Sequence, residues 1–415
     1  MQEAIMQDAI KKAYGPALAT LIRLTGEFDL SEDCLQDACL KAVETWKQQV
    51  PDNPVAWLVT TARNRATDIF RRRQYHQKSV APFLELVDNS TDTDHQQDQD
   101  ILRQHIQNDY LCLIFTCCHP ALALETQIAL TLKTVAGLSL PDVARSLVVG
   151  EKTMEQRLLR AKQKITQARI AYQIPAPRHL EARLGAVLKV IYLIFNEGYS
   201  CSPGENAIRE SLCQEAISLA ETLLKLYPEN SEVLGLTALL HFQNCRHDAR
   251  ISPEGELIPL AEQNRDLWHQ SQISLGRHLL DKALSLHHPG PYQVQAAIAA
   301  LHCTATSSEE TDWAQILMLY DSLIRFENSA IIQLNRSVAL AHVYGPQEAI
   351  SLLEGYSQDK TLQTYSHYHV VLGHLYEQAG QVSESLRHLQ KAHELSNTGE
   401  EQRYLARMIA RLSQN

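Results

Sequence analysis

From Leu138 to Ala168 the chain reads LSLPDVARSLVVGEKTMEQRLLRAKQKITQA, a spacing that predicts two helices joined by a tight turn. Ser139 and Pro141 open the first helix, with Asp142 in its first turn. Val148, Val149 and Gly150 supply the turn before Lys152 begins the second. On that second helix Met154, Leu158, Ala161 and Ile165 recur at i, i+4, i+7 and i+11, one apolar stripe able to pack inward. Thr153, Arg157, Arg160 and Lys164 repeat the spacing one residue earlier, which sets a polar and basic stripe about 100° round the helix. Arg and Lys so placed reach phosphates or guanine edges in a major groove, so the segment reads as a helix-turn-helix. A basic solvated face on an ordinary amphipathic helix is the competing reading, and the turn chemistry favours the first.

At 415 residues the chain exceeds one ordinary core and is expected to form two to four domains. Its 45% hydrophobic content is ample for burial, and 15 Pro and 16 Gly are too few for a disordered polymer. There is no apolar run of membrane length, and the start MQEAIMQDAIKKAYG lacks a secretory pattern, so a cytoplasmic location and no membrane partner are expected. Nine cysteines, at 34, 39, 112, 117, 118, 201, 213, 245 and 303, show no CxxC pairing; reduced core thiols are the expectation, with no metal site and no cofactor. Cys117, Cys118 and His119 are adjacent and cannot easily converge on one ion. Residues 1–175 hold 20 Lys and Arg against 21 Asp and Glu, and the remainder 18 against 27. Nucleic-acid contact is therefore expected from local patches in the first half, beside an acidic second half.

Tyr14–Arg23, Leu30–Gln49 and Pro54–Arg73 read as the helices of a bundle, the second introduced by Ser31 and the third by Pro54 after the loop QVPDNP. Ser79 to Leu102 has no Lys or Arg and carries Glu85, Asp88, Asp92, Asp94, Asp98 and Asp100 in a Gln-rich stretch, the composition of a flexible acidic linker. Helical pattern resumes near His105 and runs to about Arg169, and Pro175 and Pro177 mark a boundary. Beyond them the chain is helical throughout, broken by turns such as YPENS, HHPGPY and VYGPQE. In LGHLYEQAGQVSESLRHLQKAHEL, Leu372, Gly373, Tyr376, Gly380, Leu389 and Ala392 fall where a tetratricopeptide repeat places its packing residues, and Gly345 precedes Gly380 by nearly one repeat length. Val233–Leu240 reads as a degenerate earlier copy. A generic helical bundle is the alternative.

Taken in order, these segments resemble an extracytoplasmic-function, group 4 sigma factor of bacterial RNA polymerase, in the subfamily with a tetratricopeptide-like C-terminal extension. DLSEDCLQDACLKAVETW (Asp29–Trp46) is similar to the helix that docks on the clamp coiled coil of the polymerase largest subunit, and PVAWLVTTARNRATDIFRRR (Pro54–Arg73) to the one that melts and reads the minus-ten element. The helix-turn-helix corresponds to the reader of the minus-thirty-five element, and LCLIFTCCHPAL, YLIFNEGYS, GPYQVQAAIAA and TDWAQILMLYD look like the extended subfamily. The resemblance implies an all-α fold: two small helical sigma modules, the second with the helix-turn-helix, followed by an α-solenoid-like tetratricopeptide-type domain. Its implied divisions are region 2 over 1–78, the linker over 79–104, region 4 over 105–174 and the extension over 175–415.

Asp33, Gln36, Asp37 and Leu40 share a face of the second helix, a polar and acidic patch beside apolar anchors that suits a basic coiled coil and not DNA. Arg63, Arg65, Arg71, Arg72, Arg73 and Lys78 set six positive charges in 16 residues, opposed by Asp68, a cationic end able to hold the phosphates of a separated strand. By resemblance, Asn64 and the QVPDNP loop with Asn53 form a pocket for an unstacked base. Trp57 either stacks on a base or belongs to the bundle core. In the helix-turn-helix, Lys152, Thr153, Gln156, Arg157 and Arg160 are the expected minus-thirty-five contacts, with Lys162 and Lys164 on phosphates. Glu155 stands where many relatives carry a basic residue, and an acid there can accept from a cytosine amino group.

The implied partners are core RNA polymerase and promoter DNA, with an intramolecular contact between the C-terminal domain and the sigma modules as a further expectation. A helix-turn-helix regulator with a tetratricopeptide-like sensor, binding duplex DNA without polymerase, is the alternative; the Asp29–Trp46 and Pro54–Arg73 helices discriminate, since such a regulator has no use for them. An enzyme is disfavoured by the lack of HExxH, a Gly-rich phosphate loop or a nucleophile elbow. Asn196, Glu197 and Gly198 in IFNEGYS are read as a helix end.

Overall fold

The structure, a computed structural model, describes residues 2–47, 49–74, 95–147, 149–168, 170–199, 206–396 and 398–414. The chain divides into two compact units, Met1–Ile194 and Phe195–Asn415. The described residues form helices and turns with no β-strand; one isolated bridge joins Ile251 and Leu257. No helix among them is long and apolar enough to cross a membrane.

The first unit opens with three mutually packed helices, α1 (Gln2–Thr25), α2 (Phe28–Thr45) and α3 (Pro54–Gln74). Leu18 and Leu21 of α1, Leu35 of α2, and Leu58 and Ala62 of α3 are completely buried and form their core. Ser31 does not cap α2. It lies inside the helix, where its hydroxyl donates to the Glu27 carbonyl at 2.7 Å, and Glu27 holds the N-cap position. A serine can satisfy its own hydroxyl one turn back, so its presence near a helix start does not by itself mark the start. The helix also stops at Thr45, short of the expected Gln49, and Trp46 caps it.

The expected acidic linker mostly lies in 75–94, outside the described residues; from residue 95 onward the chain is helical. α4 (His95–Cys117) leads to α5 (Leu124–Leu130), which widens into a π turn over Thr131–Val135. Then come α6 (Leu140–Ser146), α7 (Glu151–Gln167) and α8 (Pro177–Tyr199). The two parts of this unit touch closely. A Cβ built on Gly15 of α1 meets the Val135 carbonyl oxygen at 2.3 Å and the Tyr110 ring at 2.8 Å, so only glycine lets α1 approach the π turn this far. Arg23 of α1 pairs with the buried Asp109 of α4 at 2.7 Å. The Tyr172 hydroxyl is shared between the carbonyls of Ala19 (2.8 Å) and Asp109 (3.1 Å).

The division between units falls after Ile194, inside α8. Arg183 of α8 donates from its guanidinium to the Phe115 carbonyl at 2.5 Å and lies 6.0 Å from that ring's centre, joining α8 to α4. Asn196, Glu197 and Gly198 lie in the last turn of α8, which ends at Tyr199.

The second unit holds α9 (Asn206–Leu226), α10 (Ser231–Asn244), α11 (Gln270–Ser285), α12 (Pro291–Thr304) and α13 (Trp313–Phe326). It continues with α14 (Ala330–Tyr344), α15 (Pro346–Glu354), α16 (Lys360–Gln363), α17 (Ser366–Gln378), α18 (Val382–Leu395) and α19 (Gly399–Ser413). Most pack on their neighbours in sequence, as in a stacked helical array, while α12 packs chiefly on α10 across α11. Leu372, Gly373, Tyr376, Leu389 and Ala392 are all buried, and Gly380 takes φ +73° in the turn between α17 and α18. A long-range contact departs from purely local stacking: the 250–258 segment reaches α19, with Arg407 Nε 2.6 Å from Glu256 Oε1 and Leu257 packed among Leu389, Tyr404 and Leu405.

Candidate nucleic-acid interface

α6 and α7 form over the two segments whose spacing predicts helices. Ser139 Oγ donates to Asp142 Oδ2 at 2.5 Å and accepts from the Asp142 N–H at 3.2 Å, so serine and aspartate together cap α6. On α7, Met154, Leu158, Ala161 and Ile165 are buried, none more than 6% exposed. Lys152, Thr153, Gln156, Arg160 and Lys164 are exposed and Arg157 half-buried. Thr153, Gln156, Arg157, Arg160 and Lys164 line an open groove of about 350 Å³, whose opposite wall is Leu122, Ala123 and Thr126. Arg157 Nη2 lies 3.2 Å from Glu125 Oε2 of α5, a partner no motif in the sequence announces.

Lys162 stands apart from the other cations of α7. Its ammonium sits 2.8 Å from Asp29 Oδ1 and 2.8 Å from Glu32 Oε2, both on α2. Burial works to lower its pKa, but Glu32 and Asp29 outweigh burial and hold the ammonium above its ordinary value. In this arrangement Lys162 faces α2 and not the groove. The signal that a search of the sequence passes over is the i, i+3 pair Asp29 and Glu32, which places two carboxylates on one side of α2.

On α3, Asn53 accepts from the Ala56 N–H at 3.0 Å and so acts as the helix cap. Trp57 is half-buried and meets the buried Trp46 edge to face, centroids 5.2 Å apart, which gives it a packing role in the bundle. Thr60, Asn64, Asp68 and Arg71 share one exposed stripe, with Arg63 half-buried beside it. Arg65 points the other way: its Nε is 2.9 Å from Asp37 Oδ2, so one expected DNA contact and one expected polymerase contact are paired. Arg72 and Arg73 continue the α3 backbone. Lys78 lies outside the described residues.

Asp33, Gln36 and Leu40 of α2 are exposed and Asp37 is partly so. Leu40 is 67% exposed and Val43, one turn on, is 41% exposed, so the acidic face carries two uncovered apolar side chains of which the sequence reading found one. Away from these surfaces, Cys117 and Cys118 are core thiols. They lie 3.1 Å and 3.5 Å from the hydroxyls of Thr134 and Thr131, and burial pushes both thiols up, Cys118 to about 12.

Residues 10–75 match the sigma-70 region 2 family, and residues 183–284 match a family of unknown function (DUF6596). The first match covers most of α1 and all of α2 and α3; the second covers α9 and α10 with most of α8 and α11. An uncharacterized protein of Rhizobium meliloti (strain 1021) is 37% identical over 406 residues, which span 98% of this chain and 95% of that protein. No solved structure matches.

Proposed function

The chain belongs to one family with the Rhizobium meliloti protein and carries sigma-70 region 2 near its start, and on that premise we propose that it is an RNA polymerase sigma factor of the extracytoplasmic-function, group 4 type. Sigma-70 proteins are non-enzymatic transcription factors, so the chemistry sought is recognition. The proposed divisions are region 2 over 1–78, region 4 over 105–174 and a tetratricopeptide-like extension from 175 that modulates activity, in a cytoplasmic protein.

The observation that carries the reading is the pairing, in one compact unit, of a region 2 match with a helix whose apolar stripe is buried while Thr153, Gln156, Arg157, Arg160 and Lys164 line an open groove. In the proposed mechanism the groove side of α7 enters the major groove at the minus-thirty-five element, with Lys152 beside it. Asn64 and Arg71, with Arg63, Arg72 and Arg73, hold the separated strand at minus-ten. Asp33, Gln36 and Leu40 dock on a basic surface of the polymerase, and Asp37 joins them when it releases Arg65.

Geometry then requires a rearrangement. Elements some 25 base pairs apart are separated by about 85 Å at ~3.4 Å per pair. A compact unit of 194 residues has a radius of gyration of only about 16 Å. Both modules engage one promoter only after α4 and the π turn leave α1 and α7 leaves α2, so the Lys162 contact belongs to the unengaged state, and Lys162 becomes available to phosphate on opening.

Run-off transcription with core polymerase on a promoter library tests the reading. Template-specific initiation that requires this protein is expected. Initiation indistinguishable from core polymerase alone, with no binding to core in a pull-down, refutes it and favours a duplex-binding regulator.

A further inference from the structure

In the second unit two thiols meet that lie 58 positions apart in the chain. Cys245 caps the end of α10 and is completely buried; Cys303 is in the last turn of α12 and partly exposed. Their sulfurs are 3.7 Å apart, van der Waals contact, and both also face the Phe242 carbonyl, at 3.0 Å and 3.5 Å. Two arginines flank the pair. Arg265 is fixed by hydrogen bonds of 2.7 Å to the carbonyls of His302 and Ala305 and by the Trp268 ring beneath it, 4.5 Å from its guanidinium carbon. Arg246 is held by the Tyr199 hydroxyl at 3.0 Å.

The electrostatics of the two sulfurs diverge. The hydrogen bond from Cys245 brings Cys303 below the ordinary thiol value against the effect of burial, and Arg246 and Arg265 add to the lowering. The same hydrogen bond, with burial, pushes Cys245 up. A thiolate beside guanidinium groups, partly open to solvent and in contact with a second, protonated thiol, is the arrangement in which one sulfur attacks and the other resolves. Cys117 and Cys118 differ: each faces a threonine hydroxyl, and burial raises both.

We propose that Cys303 and Cys245 form a thiol–disulfide site oxidised by hydroperoxides, with Cys303 the attacking and Cys245 the resolving thiol. The Cys303 thiolate attacks the peroxide oxygen; an S–O bond forms, the O–O bond breaks, and the departing hydroxide or alkoxide takes a proton to become water or alcohol. Cys303 is then a sulfenic acid. The Cys245 sulfur attacks it, the S–S bond forms and the S–O bond breaks, and the departing hydroxide leaves as water with the Cys245 proton. Two thiols lose two electrons, which reduce one hydroperoxide. Bond formation needs the sulfurs to close from contact to about 2.05 Å. The product ties the end of α10 to the end of α12 and is undone by a dithiol.

The test uses the full chain. Reduced protein is treated with equimolar hydrogen peroxide, quenched in acid, unfolded, labelled with N-ethylmaleimide and mapped by mass spectrometry. A Cys245–Cys303 linked peptide, two fewer maleimide adducts and full reversal by dithiothreitol are expected. In Cys245→Ser, Cys303 should accumulate as a dimedone-reactive sulfenic acid; in Cys303→Ser, oxidation at Cys245 should slow at least tenfold. Both thiols remaining labelled in the wild type, linkage to other cysteines instead, or an unchanged rate in Cys303→Ser overturns the proposal, and the first two readouts need no variant to fold.

Discussion

The ammonium of Lys162 lies 2.8 Å from the carboxylate of Glu32, and both side chains are largely withdrawn from solvent, 16% and 11% exposed. One belongs to α7 and the other to α2, so this ion pair, like that of Arg23 with Asp109, joins the two proposed DNA-directed modules. Asp29 completes the clasp from the exposed side.

Lys162→Met leaves the Glu32 carboxylate buried without its countercharge, and is expected to destabilise the first unit by about 3 kcal/mol. Adding Glu32→Gln removes the orphaned charge and should recover part of that loss. Denaturant unfolding of the full-length protein reads both. The same variants separate the clasp from DNA contact: Glu32→Gln alone loosens the clasp and keeps the cation, so promoter binding should rise, whereas Lys162→Met should lower it. Equal binding in both would remove Lys162 from DNA recognition.

Arg157 is restrained by Glu125, which is 78% exposed. Arg157→Ala is expected to weaken upstream-element selection by about 1–3 kcal/mol if the guanidinium reads a base. Glu125→Gln should strengthen binding and steepen its salt dependence, because one carboxylate no longer competes with DNA for that cation. Electrophoretic mobility shifts across a salt series measure both, and a loss uniform over all sequences would identify Arg157 as a phosphate contact.

In the helical array, Gly235 of α10 faces α12 so closely that a Cβ would stand 2.7 Å from the Gln293 backbone nitrogen. Backbone cannot swing aside, so Gly235→Ala should cost about 1–3 kcal/mol. Gly185 in α8 has nothing within 4 Å of its added Cβ, and Gly185→Ala should instead stabilise by about 0.5–1 kcal/mol through helix propensity. Thermal unfolding of the two variants should shift in opposite directions.

Two histidines of the second unit titrate far below the usual imidazole range. Burial lowers His302 to about 4, aided by Arg246, Arg265 and His342. Burial also lowers His388 to about 4, aided by Arg387 and His369. Each is neutral when folded, and the unfolded chain binds the proton more readily. Stability is therefore full above pH 6.5 and falls as the pH drops from 6.5 towards 4, by up to about 1.4 kcal/mol per pH unit for each histidine. His302→Gln and His388→Gln should each flatten the curve of unfolding free energy against pH in that window; an unchanged slope would mean the rings stay accessible to protons.

By itself the amino-acid order determined what repeats at short range. The stripe of Met154, Leu158, Ala161 and Ile165 was legible because a helix of 3.6 residues per turn carries its burial pattern in local spacing, and the all-helical class follows from the same signal along the chain. The family resemblance was legible because region 2 is contiguous. Helix ends were less so, as Ser31 shows, since one hydroxyl serves equally as a cap or an internal acceptor's partner. Only the tertiary structure decided that Lys162 meets Glu32, that Arg65 meets Asp37 and Arg157 meets Glu125, and that Cys245 touches Cys303. The physical reason is that ion pairs and thiol contacts are set by which surfaces pack, and the free energy of packing is a sum over buried area that leaves no mark on the spacing of the individual charges or sulfurs.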